Sequence, residues 1–225
     1  MAPASVPSVP PPNVPVVSGD VIAEKYLVGE VIGAGGVGVV VSAEHLTLGH
    51  KVAIKLLQRA ALAAEENLPR FEREMRILAR IKSDHVAKVL DCGLLPTGEP
   101  FMVLEHLEGR DLAAVMREQK TLPVTDAVDI VLQTCAGVAA AHAVGVVHRD
   151  LKPANLCLEK RGGARPRQDE ARPRGMVSLG HIVKVLDFGI SKLRDGDTRD
   201  AQAVTQTLSV IGSPLYMSPE PMEST

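Results

Sequence analysis

The sequence predicts an α+β fold, with an antiparallel β-sheet region first and a mainly helical region after it. Three observations carry this prediction. Residues 26–57, YLVGEVIGAGGVGVVVSAEHLTLGHKVAIKLL, alternate valine-rich runs with glycine and turn signals, the pattern of three successive antiparallel strands. Residues 69–82, PRFEREMRILARIK, place Phe71, Met75, Leu78 and Ile81 on one helical face. Residues 123–144 are rich in Ala, Val and Leu, with apolar side chains nearly all round, as in a helix buried inside a protein.

The elements follow in order along the chain. Residues 1–19 are MAPASVPSVPPPNVPVVSG. Proline fixes φ and removes backbone donors, so residues 1–20 are expected to form an extended, disordered leader. The alternative is a polyproline ligand for a partner domain. Pro69 suits the first turn of the helix that follows the three strands. Two further strands are expected near 86–92 and 100–105, and the helix over 123–144 comes next. Two short strands, LCL at 156–158 and HIVKVLDF at 181–188, flank an insertion over 160–180. Its core, KRGGARPRQDEARPRG, carries Lys160, Arg161, Arg165, Arg167, Arg172 and Arg174. These read as a solvated surface, with a docking site for an acidic partner as the alternative. There is no internal repeat.

Bulk properties narrow the function. The chain has 225 residues, 45% of them hydrophobic, and a formal net charge of −2. That balance gives no global attraction to nucleic acid or anionic lipid. With three Phe, two Tyr and no Trp, the interior must be filled by Ala, Val and Leu. Cys92, Cys135 and Cys157 are far apart and form no CxxC pair, which argues against a disulfide framework or zinc site and fits a reducing cytoplasm. No apolar run approaches the roughly 20 residues of a membrane span, and no secretory signal pattern opens the sequence. The expectation is a chain with no membrane segment.

Four motifs carry chemistry. Gly33-Ala34-Gly35-Gly36-Val37-Gly38-Val39-Val40 runs from strand to strand. Its glycines let backbone amides approach a phosphate, and the absence of a following helix disfavours a dinucleotide site. Val52-Ala53-Ile54-Lys55 puts a lysine inside an apolar strand, where a charge needs a partner. Glu74 in the following helix is the candidate, and Glu72 is its rival on a different helical face. His148-Arg149-Asp150-Leu151-Lys152-Pro153-Ala154-Asn155 and Asp187-Phe188-Gly189 complete the set. Phosphoryl transfer needs an acceptor for a hydroxyl proton and oxygen ligands for Mg²⁺. Asp150 supplies the first, Asn155 and Asp187 the second.

Together, GAGGVGVV, VAIK, FEREM, HRDLKPAN, DFG and GSPLYMSPE resemble the motifs of a eukaryotic-type (Hanks) serine/threonine protein kinase, of the kind found in bacteria. The resemblance covers residues from about 26 to 225. It implies a bilobal protein-kinase fold, with a β-rich N-lobe over about 21–105 and a helical C-lobe over 106–225. ATP and Mg²⁺ would lie between the lobes, and Ser/Thr hydroxyls of proteins would receive the phosphate. By the same resemblance Asp150, Lys152, Lys55 and Glu74 are catalytic. Ile32, Gly33, Ala34, Gly35, Gly36, Val37, Gly38, Val39, Val40, Ala53 and Lys55 meet the nucleotide, as do Glu105 and Leu107 of the hinge. Cys157 lies below the adenine and Leu104 is the gatekeeper. His148, Phe188, Leu78 and Val89 would stack as a regulatory spine. Lys152 fits serine/threonine rather than tyrosine specificity.

Regulation is implied as well. Arg149 and Lys192 would hold a phosphate on Thr205 or Thr207, placed there by a second kinase copy. Thr198 and Ser209 are secondary candidates, and Ser213 would position the acceptor beside Asp150 and Lys152. The family pattern continues beyond Ser218-Pro219-Glu220, and this sequence stops five residues later. The expectation is an incomplete C-lobe, inactive by itself, whose parent protein could carry a sensor or membrane anchor elsewhere. The competing reading is a pseudokinase or non-catalytic fragment that acts by binding.

Overall fold

The computed structural model describes residues 15–35, 38–57, 67–160, 180–188 and 214–216. They divide into two compact units, one drawn from Met1–Ala63 and Val89–His106, the other from Ala64–Lys88 and Leu107–Thr225.

The first unit is one antiparallel sheet. Its strands are β1 (Val21–Ile22), β2 (Tyr26–Gly35), β3 (Gly38–His45), β4 (Lys51–Leu57), β5 (Val89–Leu94) and β6 (Pro100–Glu105), in the order β1-β2-β3-β4-β6-β5. The three strands expected over 26–57 are β2, β3 and β4. Alternation along each strand sorts the side chains onto two faces. Val28, Val41, Ala43, Val52, Ile54, Phe101 and Val103 form the core on one side. On the other, register aligns Val40 with Lys55 and Met102, and Ser42 with Ala53 and Leu104. β2 carries two irregularities against β3, one between Val28 and Val31 and one between Val31 and Gly33.

Residues 15–20, expected to belong to an extended leader, are ordered against the sheet. Residues 1–14 lie outside the described residues, but the chain from Pro15 is docked. Val16 is buried in the core. Asp20 Oδ2 accepts from the Val17 N–H at 2.8 Å, Gly19 N–H donates to Val28 O at 2.9 Å, and Val28 N–H donates to Asp20 O at 2.8 Å. This tight turn brings one valine of a proline-rich stretch onto the sheet. Further on, Tyr26 Oη donates to Asp91 Oδ2 at 3.0 Å, and Lys25 Nζ lies 3.4 Å from the same oxygen. Joining β2 to the last strand, β5, needs a curled sheet. Burial, then Asp91, pushes the Tyr26 pKa up to about 12.

The second unit holds α1 (Asn67–Leu78), α2 (Leu112–Gln119), α3 (Val124–His142) and a small sheet of β7 (Gly109–Asp111), β8 (Leu156–Lys160) and β9 (His181–Val185). In α1 the expected face is buried: Phe71, Met75 and Leu78, with Ile81 just beyond. The helix ends at Leu78 rather than 82 because Arg80 N–H and Ile81 N–H bond back three residues, to Ile77 O and Leu78 O. Short bonds of this kind tighten and close a last turn.

The units do not divide at the expected boundary after residue 105. Residues 64–88, with α1, group with the second unit. The bonds to β9 explain this. Val86 bridges Val185 in parallel, Val185 N–H donates to His85 O at 2.9 Å, and Ala87 N–H donates to Val185 O at 3.0 Å. The His85 ring adds Nδ1–H to Val183 O at 3.1 Å. This is also why β5 starts at Val89 rather than at 86.

α2 and β7 are elements the sequence reading did not anticipate. Asp111 caps α2, its Oδ1 accepting from Ala114 N–H at 2.7 Å. α3 matches the expected helix but is buried along one stripe only. Asp129, Ile130, Gln133, Thr134, Gly137 and Ala141 are buried, whereas Val124, Val128, Val131 and Leu132 are exposed. Gln133 takes Val183 N–H at 3.0 Å and donates to Asp129 Oδ2 at 2.8 Å. A Cβ at Gly137 would sit 2.6 Å from His85 O. By length and composition α3 is apolar enough to cross a membrane, which corrects the expectation that no stretch approaches that size. Its buried polar stripe faces β9 and packs it into this unit. Lys160 pairs with His181 at the mouth of the basic insertion, and residues 161–179 lie outside the described residues.

Candidate active site

In the first unit the glycine-rich segment is a hairpin between β2 and β3. Gly33 faces Val40, Ala34 faces Val39 and Gly35 faces Gly38. Gly36 and Val37 lie outside the described residues. Gly38 has φ 150°, and a Cβ there would fall 2.0 Å from Leu56 O, so no side chain fits. Ile32 is exposed just before the hairpin. Lys55 is 4% exposed in β4, between Val40 and Met102, and Ala53 is buried two residues before it. Glu105 closes β6, opposite Val52.

In the second unit the loop before β8 and the segment after β9 are tied by side chains. His148 Nε2–H donates to Leu186 O at 2.8 Å, and His148 Nδ1 accepts from Asp150 N–H at 3.3 Å. One nitrogen donates and the other accepts, so the ring is neutral. Burial holds its pKa below the ordinary histidine value, against the opposite pull of Leu186 O, Asp187 and Asp150. The ring packs on Phe188, with centroids 4.7 Å apart.

Asp150 Oδ2 lies 2.7 Å from Lys152 Nζ. Asn155 Nδ2 donates to Asp150 O at 2.8 Å and lies 3.4 Å from Asp150 Oδ2. Asn155 O accepts from Leu186 N–H at 2.9 Å. Four sequence-predicted residues are thus gathered: Asp150, Lys152, Asn155 and, next to Leu186, Asp187. Arg149 and Asp187 adopt φ 68° and 62°. Such left-handed backbone costs about 1–3 kcal/mol per residue and clusters at working sites. The bonds on either side hold both residues there.

Cys157 is buried in β8, aligned with Asp111 on β7 and Lys184 on β9. Burial pushes its thiol up to about 11; Glu159 and Asp111 add to this and Lys184 opposes it. Leu107 is half-buried after β6, and Glu74 is half-buried on α1. Lys55 and Glu74 belong to different units. Arg149 is exposed. Gly189, Lys192, Thr198, Thr205, Thr207, Ser209, Ser213 and Ser218-Pro219-Glu220 lie outside the described residues. The sequence reading missed Asp129 and Gln133, which grip β9 and so carry Asp187. An acid and an amide four residues apart on an apolar helix were the available signal.

The donor set fits a hard cation. Asn155 commits its amide nitrogen to Asp150, which leaves Oδ1 as an oxygen ligand, and Asp187 supplies a carboxylate. Magnesium is held this way, through one or two protein oxygens completed by phosphate and water. Among the described residues no cluster of three or more His, Cys, Asp or Glu is gathered.

The family description "protein kinase domain" matches residues 26–225. Similar proteins include serine/threonine-protein kinase pkn3 of Myxococcus xanthus, 38% identical over 90% of this chain and 34% of that protein. Serine/threonine-protein kinase PknB of Mycobacterium leprae is 32% identical over 88% of this chain and 29% of that protein. The chain therefore spans about a third of the length of these relatives. The crystal structure of the Mycobacterium tuberculosis PknI kinase domain superposes with TM-score 0.62 at 27% identity, covering 79% of this chain and 64% of that one.

Proposed function

The chain belongs to the protein kinase family, and from that premise we propose that it carries the catalytic residues of an ATP-dependent serine/threonine kinase. The single observation behind this is the cluster in the second unit, where Asp150 is held by Lys152, Asn155 and the His148 ring. Asp150 accepts the proton of a Ser or Thr hydroxyl as its oxygen attacks the γ-phosphorus of ATP and the bond to the β-phosphate oxygen breaks. Lys152, 2.7 Å from the carboxylate, orients it and pairs with charge on the transferred group. Asn155 and Asp187 would hold Mg²⁺, which would supply positive charge to the phosphates. In the first unit the glycine hairpin and Lys55 hold the phosphates, and Ile32, Val40, Ala53 and Glu105 meet the adenine. Arg149 and Lys192 bind a phosphate on Thr205 or Thr207, added by a second copy. We place this chemistry in the cytoplasm, a reading supported by three free thiols.

The test is Asp150→Asn in the protein extended to full kinase length, with the unsubstituted protein of that length beside it. Phosphate transfer to a protein substrate should fall about 10²–10⁴-fold, the usual contribution of a positioned base, with MgATP affinity within about twofold of the unsubstituted protein. After incubation with MgATP, mass spectrometry should find phosphate on Thr205 or Thr207 only in the unsubstituted protein. Undiminished transfer by Asp150→Asn would overturn the assignment.

A further inference from the structure

We propose that Ser42 is a positioning residue for the nucleotide, acting through the bulge in β2 that sets the frame of the glycine hairpin. This rests on the reading of that hairpin as the ATP phosphate clamp.

β2 fits one extra residue between Val28 and Val31, directly beside Ser42 of β3. Regular alternation from buried Val28 would turn Glu30 into the core. With the bulge, Glu30 stays exposed and Val31 pairs with Val41 and packs on the core instead. A bulge leaves backbone groups without ladder partners. Ser42 meets this need with one hydroxyl, whose Oγ accepts from Glu30 N–H at 2.9 Å and donates to Glu30 O at 3.2 Å. Gly29 provides the room, because a Cβ there would lie 2.6 Å from Ser42 Oγ.

The bulge lies just upstream of Ile32 and Gly33. Losing it would slip the pairing of β2 on β3 by one residue from there to the hairpin, through the second irregularity between Val31 and Gly33, and turn Val31 off the core. Ser42 also shares its face with Val40, Ala53 and Lys55, so its clip ties the nucleotide-facing side of β3 to the strand that presents the glycines.

Four measurements test this: amide exchange at Glu30 and MgATP affinity on the whole chain, and the KM for ATP and kcat on the chain extended to full kinase length. Ser42→Ala should speed exchange of the Glu30 amide and weaken MgATP binding, each by about fivefold, the factor expected for one ordinary hydrogen bond. The KM for ATP should rise by the same factor with kcat unchanged. Ser42→Thr, which keeps the hydroxyl, should restore all three. Gly29→Ala should reproduce the loss of affinity, and much less so when added to Ser42→Ala. Unchanged exchange in Ser42→Ala would overturn the clip. Faster exchange with unchanged affinity would overturn the positioning role. An unsubstituted chain that binds no ATP would overturn the proposed function and the positioning role with it, while Glu30 exchange would still decide the clip.

Discussion

The glycine hairpin of the first unit and the 148–155 loop of the second serve the same proposed reaction but are built in opposite ways. The hairpin is held by main-chain pairing: Gly33 with Val40, Ala34 with Val39, Gly35 with Gly38. Its described residues bring no charged side chain to the tip, and Gly38 is fixed by what cannot fit beside Leu56 O. The loop adds to its main-chain bonds, Asn155 N–H to Lys152 O and Leu186 N–H to Asn155 O, a set of side chains reaching backbone, His148 to Leu186 and to the Asp150 amide, Asn155 to Asp150 O. A phosphate with several oxygens can be met by a row of amides that tolerates small shifts. A proton acceptor must hold one carboxylate at one place, and small misplacements are costly there. The second region therefore spends strained backbone and buried polar groups that the first avoids.

Substitutions can break or sharpen this contrast. The largest effect after Asp150→Asn is expected at Asn155. Asn155→Ala removes the tie to Asp150 O and an oxygen ligand together, and phosphate transfer should fall about 10- to 100-fold. Asn155→Asp keeps the oxygen but cannot donate; Mg²⁺ affinity measured by calorimetry should survive while transfer stays low. Equal loss of both would mean the tie to Asp150 contributes nothing of its own.

Gly38→Ala probes the other region. Its Cβ would fall 2.0 Å from Leu56 O, so β3 and β4 must separate locally at a cost of about 1–3 kcal/mol, as in other overpacked sites. Denaturant unfolding should show that loss with MgATP affinity reduced alongside. An unchanged midpoint would mean the strands adapt more freely than the hairpin's construction implies.

The smallest effect is a pH dependence from His148. Its folded pKa lies below the ordinary value of 6.5, so the unfolded chain binds the proton more readily. This contribution is complete above pH 6.5 and is lost as pH falls from there toward the folded value, by at most about 1.4 kcal/mol per pH unit. Ring nitrogen shifts in NMR should place the His148 midpoint below the ordinary histidine value, with the Nε2–H tautomer above it. A midpoint at or above the ordinary value would contradict the neutral hydrogen-bond assignment.

Much of this was legible from residue order alone. Strands β2, β3 and β4 follow from valine runs and turn signals, α1 from periodicity and α3 from its long run of Ala, Val and Leu. The residues of the 148–155 loop stand out because their motif names them. What escaped depends on distant partners. α2 buries only Leu112 and Val115, too little to make a pattern. β7 has three residues and exists only because β8 lies beside it. The docked residues from Pro15 were hidden by proline, although the Asp20 turn was there to be read. The bulge at Glu30 depends on a hydroxyl twelve residues away. The left-handed backbone at Arg149 and Asp187 is imposed by neighbours on both sides, and neither residue type announces it.

The junction between residues 85–87 and Val185 has a consequence for genetics. Apart from the His85 ring, its bonds run between main-chain atoms: Val185 N–H to His85 O, and Ala87 N–H to Val185 O. Truncating any of these side chains to a methyl group leaves those bonds in place. A scan by alanine will therefore register only the lost packing of buried Val86 and Val185 and the lost His85 ring, and not the main-chain bonds that fasten the segment following α1 to the strand that delivers Asp187 two residues later. Only replacing an amide, as proline does, would unpick it. Tolerance maps of this protein will have a blind spot at the stitch on which the catalytic segment hangs.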